Sequence, residues 1–137
     1  MHHGTARRRI RCVRPEGGRS VMPIAYLVVT LVTAAVNLTD AVASFLKAGF
    51  VLANSAEVGV PRSWLSRLAV LKAAGAAGLV LGLLGLRPLG VAAATGLVLF
   101  FTGAVVAHLR ARVLYNIAFP GAYLALACAS LALAVAR

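Results

Sequence analysis

The sequence contains few charged residues and very few acidic ones. Charged residues make up 12% of the chain, and Asp and Glu together number 3. An ordinary soluble domain carries about 25% charged residues. Because 61% of the residues are hydrophobic, too few polar side chains remain to cover a globule in water. This composition excludes an ordinary soluble domain.

Cysteine is also scarce, and motifs for catalysis or cofactor binding are absent. The 2 cysteines, Cys12 and Cys128, form no CxxC motif and belong to no Cys/His cluster with metal-binding spacing. Their isolation excludes a dithiol redox centre and a structural zinc site. The sequence also lacks paired carboxylates and a nucleophile with a neighbouring base. We therefore expect no catalytic residues, no metal site, no cofactor and no enzymatic activity of the chain's own.

The chain does contain four long apolar runs. A helix needs about 20 mostly apolar residues to cross a bilayer core of about 30 Å, and runs of this length satisfy their backbone in lipid as helices. We predict an all-α fold, an integral membrane four-helix bundle over residues 23–137, with the lipid bilayer as its partner. The predicted helices cover residues 23–46, 66–86, 89–107 and 118–136 approximately.

Prolines and basic residues set the expected ends of these helices. Pro23 fits the first turn of a helix, where its missing N–H leaves no hydrogen bond unmade. Lys47 and Gly49 mark the end of the first helix. The loop over residues 49–65 is expected to hold a short helix at the membrane interface, with Trp64 among the headgroups.

Residues 1–22 form a basic tail that is predicted to be disordered. The tail holds 6 of the 14 Lys and Arg residues, and the others mostly flank the apolar runs. The net charge of +11 therefore reflects membrane topology, and we expect no nucleic-acid partner. Met22 directly precedes the first run and is an alternative translation start. A cleaved secretory signal ending near residues 41–43 is a second alternative, although a retained first helix is simpler because three spans follow.

Positive charges predict how the bundle is oriented. With the tail in the cytoplasm, the inner side holds the 6 tail arginines plus Arg87 and Arg137, which makes eight cations. The outer side then holds five, so both termini are expected to be cytoplasmic. A translation start at Met22 would leave two cations on the inner side and five on the outer side, which would reverse the predicted orientation. The five cations of the outer side are Lys47, Arg62, Arg67, Arg110 and Arg112.

The first helix carries a regular polar stripe. Its members are spaced by three and four residues, so they share one face, which should point at other helices or at a wet cavity. Packing explains the Thr and Ser members without any function. It does not explain a carboxylate, which is costly in lipid. The stripe consists of Thr30, Thr33, Asn37, Asp40, Ser44 and Lys47.

Asp40 and Lys72 are predicted to lie at similar depth in one leaflet. At a rise of about 1.5 Å per residue, Asp40 is roughly 10 Å deeper than Lys47, and Lys72 is about a turn and a half below Arg67. The two charges can therefore form an ion pair, or Lys72 can extend its stem towards the headgroups instead. His108 lies at the same end. The candidate ligand-binding residues are thus Asn37, Asp40, Lys72 and His108.

Small residues form further stripes on the helices. Such stripes let membrane helices approach closely and therefore predict a tight bundle. The favoured interpretation is that the small residues pack against other helices of the same chain, and the alternative is that one face is left for a partner. The clearest stripes are Gly75, Gly78, Gly82 and Gly85 in the second helix, Gly96 and Gly103 in the third, and Gly121, Ala125, Ala129, Ala132 and Ala136 in the fourth.

Several segments resemble the DoxX-like family of small four-helix bacterial membrane proteins. The carriers are residues 58–61, 71–79 and 88–94, and the most specific is residues 103–112, with His-Leu-Arg ending the third helix. The resemblance covers the chain except the basic tail and implies a bacterial inner membrane protein. Many members have Glu where this chain has Lys72. Some named relatives are membrane subunits associated with redox complexes, including a thiosulfate:quinone oxidoreductase, and the family offers no agreed catalytic residues.

Two hypotheses for function follow. The first is an accessory or scaffold subunit of a membrane-associated, redox-linked complex, which would dock a membrane or peripheral protein through small-residue faces or loops. The alternative is a binder or carrier of a small lipophilic ligand, such as a quinone, at the end of the bundle that holds Asp40, Lys72 and His108.

Overall fold

The computed structural model of the chain contains five α-helices in its described part. The structure describes the backbone of residues 17–136 and the side chains of residues 22–136. Within that range there is no β-strand, and two short 3₁₀ turns, Arg62–Trp64 and Leu114–Asn116, precede α3 and α5. The all-α prediction is confirmed. The helices are α1 (Gly17–Phe45), α2 (Gly49–Glu57), α3 (Leu65–Leu83), α4 (Arg87–Arg110) and α5 (Ala118–Ala136).

Four of the described helical segments are long and apolar enough to cross a membrane. They contain 24, 22, 24 and 19 residues in α1, α3 with its preceding turn, α4 and α5, respectively. At about 1.5 Å per residue, these lengths match a hydrocarbon core of about 30 Å. The protein is therefore a multi-pass membrane bundle. The short helix α2 lies in the connection between the first two spans, where the sequence predicted a short helix.

The start of α1 differs from the prediction. The helix begins at Gly17, so Pro23 lies inside it and not in its first turn. Residues 17–22, which the sequence analysis assigned to the tail, thus belong to α1, whereas residues 1–16 lie outside the described range. A proline inside a helix removes the hydrogen bond that its own N–H would donate, and its ring crowds the carbonyl four residues back, yet α1 continues on both sides of Pro23.

Other helix ends also differ from the prediction by a few residues. Helix α3 stops at Leu83 and not near residue 86, because Gly85 adopts a positive φ of 115° and turns the chain. Helix α4 includes Arg87 and extends to Arg110, three residues beyond the predicted end. Arg110 lies in the last turn of α4, where a cation interacts favourably with the helix dipole.

Two basic residues end helices in the left-handed conformation usually taken by glycine. Lys47 follows α1 with φ 51°, and Arg112 follows α4 with φ 57°. The N–H of the next residue bonds to the carbonyl five positions back at 3.0 Å in both cases. This is the Schellman arrangement, which satisfies carbonyls at a helix end. It places two cations beside the negative ends of two helices on one side of the bundle.

The four long helices form a closed ring. Helix α1 packs against α3 and α5, and α4 packs against the same two helices from the other side. Small side chains fill much of the space between them, so the helix axes approach closely. The buried apolar core consists of Ala34, Ala76, Leu79, Ala94, Leu97, Phe101 and Ala127.

Helices α3 and α4 approach each other closely at glycines. A Cβ added to Gly82 would lie 2.6 Å from the Cα of Gly90, and one added to Gly75 would lie 2.6 Å from the Leu97 side chain. The predicted use of the α3 glycines for packing within the chain is confirmed here. By contrast, a Cβ at Gly96 or Gly103 of α4 would meet nothing within 4 Å.

Gly82→Ala is expected to destabilise the bundle by about 1–3 kcal/mol, the usual cost of overpacking. The added methyl would meet backbone, which can move only if α3 and α4 separate. Thermal unfolding in detergent micelles, followed by circular dichroism, measures the effect. Gly96→Ala is the matched control and should leave the melting temperature unchanged or slightly raised. Equal melting temperatures for the two variants would contradict this packing.

Candidate functional site

The polar stripe of α1 faces the interior of the bundle. Thr30, Thr33 and Asn37 are 0% exposed, and Ser44 is 2% exposed. Residues spaced three and four apart share one side of a helix, and here that side meets the other helices. Lys47 is exposed beyond the end of α1 and does not join the buried part of the stripe.

Hydrogen bonds from this stripe connect α1 to α5. The hydroxyl groups of Thr33 and Ser130 lie 2.8 Å apart, and Tyr123 Oη donates to the carbonyl of Val36 at 3.4 Å. Asn37 donates through Nδ2 to the carbonyl of Thr33 at 2.8 Å. Its Oδ1 atom is buried and accepts no hydrogen bond from the described residues. The stripe therefore serves mainly to pair helices, and two of its buried atoms, Thr30 Oγ1 and Asn37 Oδ1, have no hydrogen-bond partner among the described residues.

Asp40 and Lys72 form an ion pair between α1 and α3. Lys72 Nζ donates to Asp40 Oδ2, and the two side chains are 13% and 22% exposed for Lys72 and Asp40, respectively. The stem of Lys72 thus extends sideways to α1 and not towards the headgroups. The depth argument from sequence located this pair correctly. In lipid each charge would be costly alone, so each stabilises the other.

Aromatic rings continue from this ion pair across the bundle. The ammonium of Lys72 lies 5.5 Å from the ring centroid of Phe100, within the range of a cation–π interaction. Phe100 packs edge-on against Phe101, whose ring centroid is 5.0 Å from that of Tyr123. The pair is therefore covered on one side by a row of aromatic side chains from α4 and α5.

His108 belongs to a second polar cluster, separate from the ion pair. It is 4% exposed, and its Nδ1 lies 2.9 Å from the carbonyl oxygen of Ala104. Its Nε2 lies 3.4 Å from Asn54 Oδ1, which also accepts a 2.6 Å hydrogen bond from Asn116 Nδ2. A neutral imidazole donates through one nitrogen only, so it makes one of these two contacts as a hydrogen bond. This cluster fastens α2 to the end of α4 and to the turn before α5.

A further hydrogen bond holds the end of α2. Tyr115 donates its phenolic hydrogen to Glu57 Oε2, and this bond raises the pKa of Tyr115 above its usual value. Both side chains are exposed at the end of the bundle. Glu57 is thereby fixed beside α4, although its place in the sequence, within a loop, gave no indication of this.

An open groove separates the end of α2 from α4. Its volume is about 570 Å³. Glu57 and Arg110 supply its charges, and Gly103, Val106 and Ala107 form an apolar floor. Of the predicted site residues Asn37, Asp40, Lys72 and His108, none lines this groove. In the sequence, Gly103 precedes Arg110 by seven residues, which places both on one face of α4 and could have indicated this groove.

Comparison with known proteins identifies the kind of membrane protein. The profile of the DoxX-like family matches residues 28–130, which span α1 to α5 and include all four predicted site residues. The chain belongs to the DoxX-like family. No curated protein and no solved structure matches the chain. In this DoxX-like protein, the described residues contain no group of three or more His, Cys, Asp or Glu side chains that could hold a metal ion.

Asp40→Lys is expected to reduce the yield of folded protein, because it would bring two ammonium groups together inside the bundle. The expected cost is on the order of 3 kcal/mol, as for a broken buried ion pair. Adding Lys72→Asp should restore the yield by reversing the pair. The monodisperse fraction after size-exclusion chromatography in detergent measures this.

The control for the charge reversal is Arg67→Asp, which changes an exposed residue in the first turn of α3, where an acidic side chain is favourable, and it should leave the yield unchanged. A double variant that stays as poor as Asp40→Lys alone would show that the two side chains do not stabilise each other.

Proposed function

We propose that this DoxX-like protein is an accessory subunit that docks a membrane partner through the outer face of α4. The single observation that carries the proposal is the open surface at Gly96 and Gly103, where an added Cβ would meet nothing within 4 Å. Glycines on a lipid-facing helix let a second helix approach closely, which favours association by van der Waals contact.

Small residues recur along the outer face of α4, between larger ones such as Leu99, and support this use. Gly96 and Gly103 repeat at seven residues, the spacing that a left-handed helix pair requires. Ala92 and Gly96 also form a small-xxx-small pair. The small exposed residues are Ala92, Thr95, Gly96, Thr102 and Gly103.

The polar groups within the bundle are consistent with a structural subunit. Asp40 bonds to Lys72, Thr33 bonds to Ser130, and His108 contacts Asn54. These contacts hold the helices to each other and occupy the polar groups of Asp40, Lys72 and His108, whereas Asn37 Oδ1 has no hydrogen-bond partner among the described residues. The link to a redox complex comes from the family resemblance and stays a prediction, as does the alternative of a quinone carrier at Asp40, Lys72 and His108.

Co-purification from native membranes in mild detergent tests the docking face. The unmodified protein should carry a stoichiometric companion, and Gly96→Leu should lose it, because the larger side chain keeps the partner helix away. Gly121→Leu is the matched control, since Gly121 is an open glycine on α5. It should retain the companion.

Two results would overturn the assignment. A monodisperse protein without a companion would contradict an accessory role. Loss of the companion in Gly121→Leu, with retention in Gly96→Leu, would exclude α4 as the docking face.

We also propose that the protein resides in the bacterial inner membrane with both termini in the cytoplasm. The tail arginines together with Arg87 and Arg137 outnumber the five cations at the other end of the bundle. That end contains Lys47, Arg62, Arg67, Arg110 and Arg112.

A fluorescent protein that matures only in the cytoplasm, fused after Arg137, should be bright on the full chain. Deleting residues 1–21 should dim it, because the charge preference then reverses. Alkaline phosphatase, which is active only outside the cytoplasm, should give the complementary result at the same position. Bright fluorescence from both the full chain and the chain without residues 1–21 would show that the tail does not set the orientation.

A further inference from the structure

The groove between α2 and α4 brings opposite charges to the rim of an apolar surface. Glu57 and Arg110 both line it, and they form no ion pair with each other within 4.0 Å. Among the described side chains, Arg110 has no hydrogen-bond or ion-pair partner, and Glu57 is bonded only by Tyr115 through Oε2. The guanidinium and one carboxylate oxygen are therefore available to a ligand.

We propose that this groove binds a membrane phospholipid whose headgroup carries a primary ammonium, such as phosphatidylethanolamine. The guanidinium of Arg110 matches the phosphate, because its planar fork can donate two hydrogen bonds. The ammonium then reaches Glu57 and donates to its carboxylate. A headgroup with both charges satisfies both side chains at once, which an exclusively anionic headgroup cannot do.

The position of the groove along α4 fits an amphiphile. Arg110 is the last residue of α4, and Gly103 lies roughly 10 Å deeper along the helix axis. A headgroup at Arg110 would therefore lie at the end of the bundle, with an acyl chain running inwards over Gly103 and Val106. Gly103 offers open space at the point where that chain must pass.

The chemistry at the rim discriminates among headgroups. A phosphatidylglycerol would pair with Arg110 but offer Glu57 only the neutral hydroxyl groups of its glycerol, which bond to a carboxylate more weakly than an ammonium does. A phosphatidylcholine carries a quaternary nitrogen, which has no N–H to donate to the carboxylate. A quinone has no charge for either side chain. Selectivity for a primary ammonium is therefore the signature of this site.

This inference goes beyond the accessory role. Gly103 lies on both the docking face and the groove, so the two proposals are separated at residues that belong to one of them only. Gly96→Leu tests partner docking and Glu57→Gln tests lipid binding, so failure of one variant does not imply failure of the other.

Native mass spectrometry of the full chain tests the proposal. The protein in detergent is mixed with equal amounts of phosphatidylethanolamine, phosphatidylglycerol, phosphatidylcholine and ubiquinone, and the retained adducts are counted. Phosphatidylethanolamine should be retained about tenfold more than the other three, as expected for one additional hydrogen bond between charged groups. Equal retention of all the lipids, or preferred retention of the quinone, would overturn the proposal.

Variants at the rim of the groove distinguish the contributions of Glu57 and Arg110 to lipid binding. Glu57→Gln should remove the preference for phosphatidylethanolamine and leave retention of phosphatidylglycerol unchanged or higher. Arg110→Gln should weaken the retention of both phosphatidylethanolamine and phosphatidylglycerol. Tyr115→Phe is the matched control, since it removes the hydrogen bond to Glu57 but keeps the carboxylate, and it should preserve the preference. Loss of the preference in Tyr115→Phe, with none in Glu57→Gln, would contradict a direct contact between Glu57 and the headgroup.

A variant in the floor tests the groove itself. Gly103→Leu should abolish retention of every lipid at this site by filling the path of the acyl chain, while circular dichroism shows an unchanged fold. Gly96→Leu, two turns away on the same face, should retain phosphatidylethanolamine. Undiminished binding to Gly103→Leu would place the lipid elsewhere.

Discussion

The hydrocarbon core of a bilayer cannot donate or accept hydrogen bonds, and the arrangement of this bundle follows from that constraint. Every polar side chain in a membrane-spanning segment must find a partner inside the protein or lose free energy. The polar side of α1 therefore turns inwards, where Thr33 meets Ser130 and Asp40 meets Lys72. Since these partners lie on α5 and α3, α1 is held between those two helices. The order of helices around the ring is thus tied to a few polar contacts.

Glycine serves two different purposes on neighbouring helices of the ring. On α3, Gly82 lets its backbone approach that of Gly90, so the glycine is used within the chain. On α4, Gly96 and Gly103 face outwards, and their small size is available to other molecules. The two helices have similar glycine spacing in sequence, so only their neighbours distinguish the uses. This explains why a stripe of small residues predicts tight packing but not its location.

Much of the fold could be predicted because it depends on length and depth along single helices. The pairing of Asp40 with Lys72 could be predicted from the rise per residue along each helix and from the position at which each apolar run ends. The start of α1 could not be predicted, because Pro23 is compatible with both a helix start and a helix interior. The contacts of Asn54 and Glu57 were also missed. They depend on α2 folding back against α4, which no periodicity within either helix encodes.

The attachment of α2 has a consequence for its dynamics. Among the residues of α2 only Val51 is buried, and the helix is held at its far end by side-chain hydrogen bonds near the aqueous boundary. Water competes well for such bonds, so detaching α2 costs much less free energy than separating the long helices. This helix therefore constitutes its own unit of local opening. We expect its amide hydrogens to exchange with solvent before those of the ring, and a lipid to enter or leave beside α4 while the rest of the bundle stays folded.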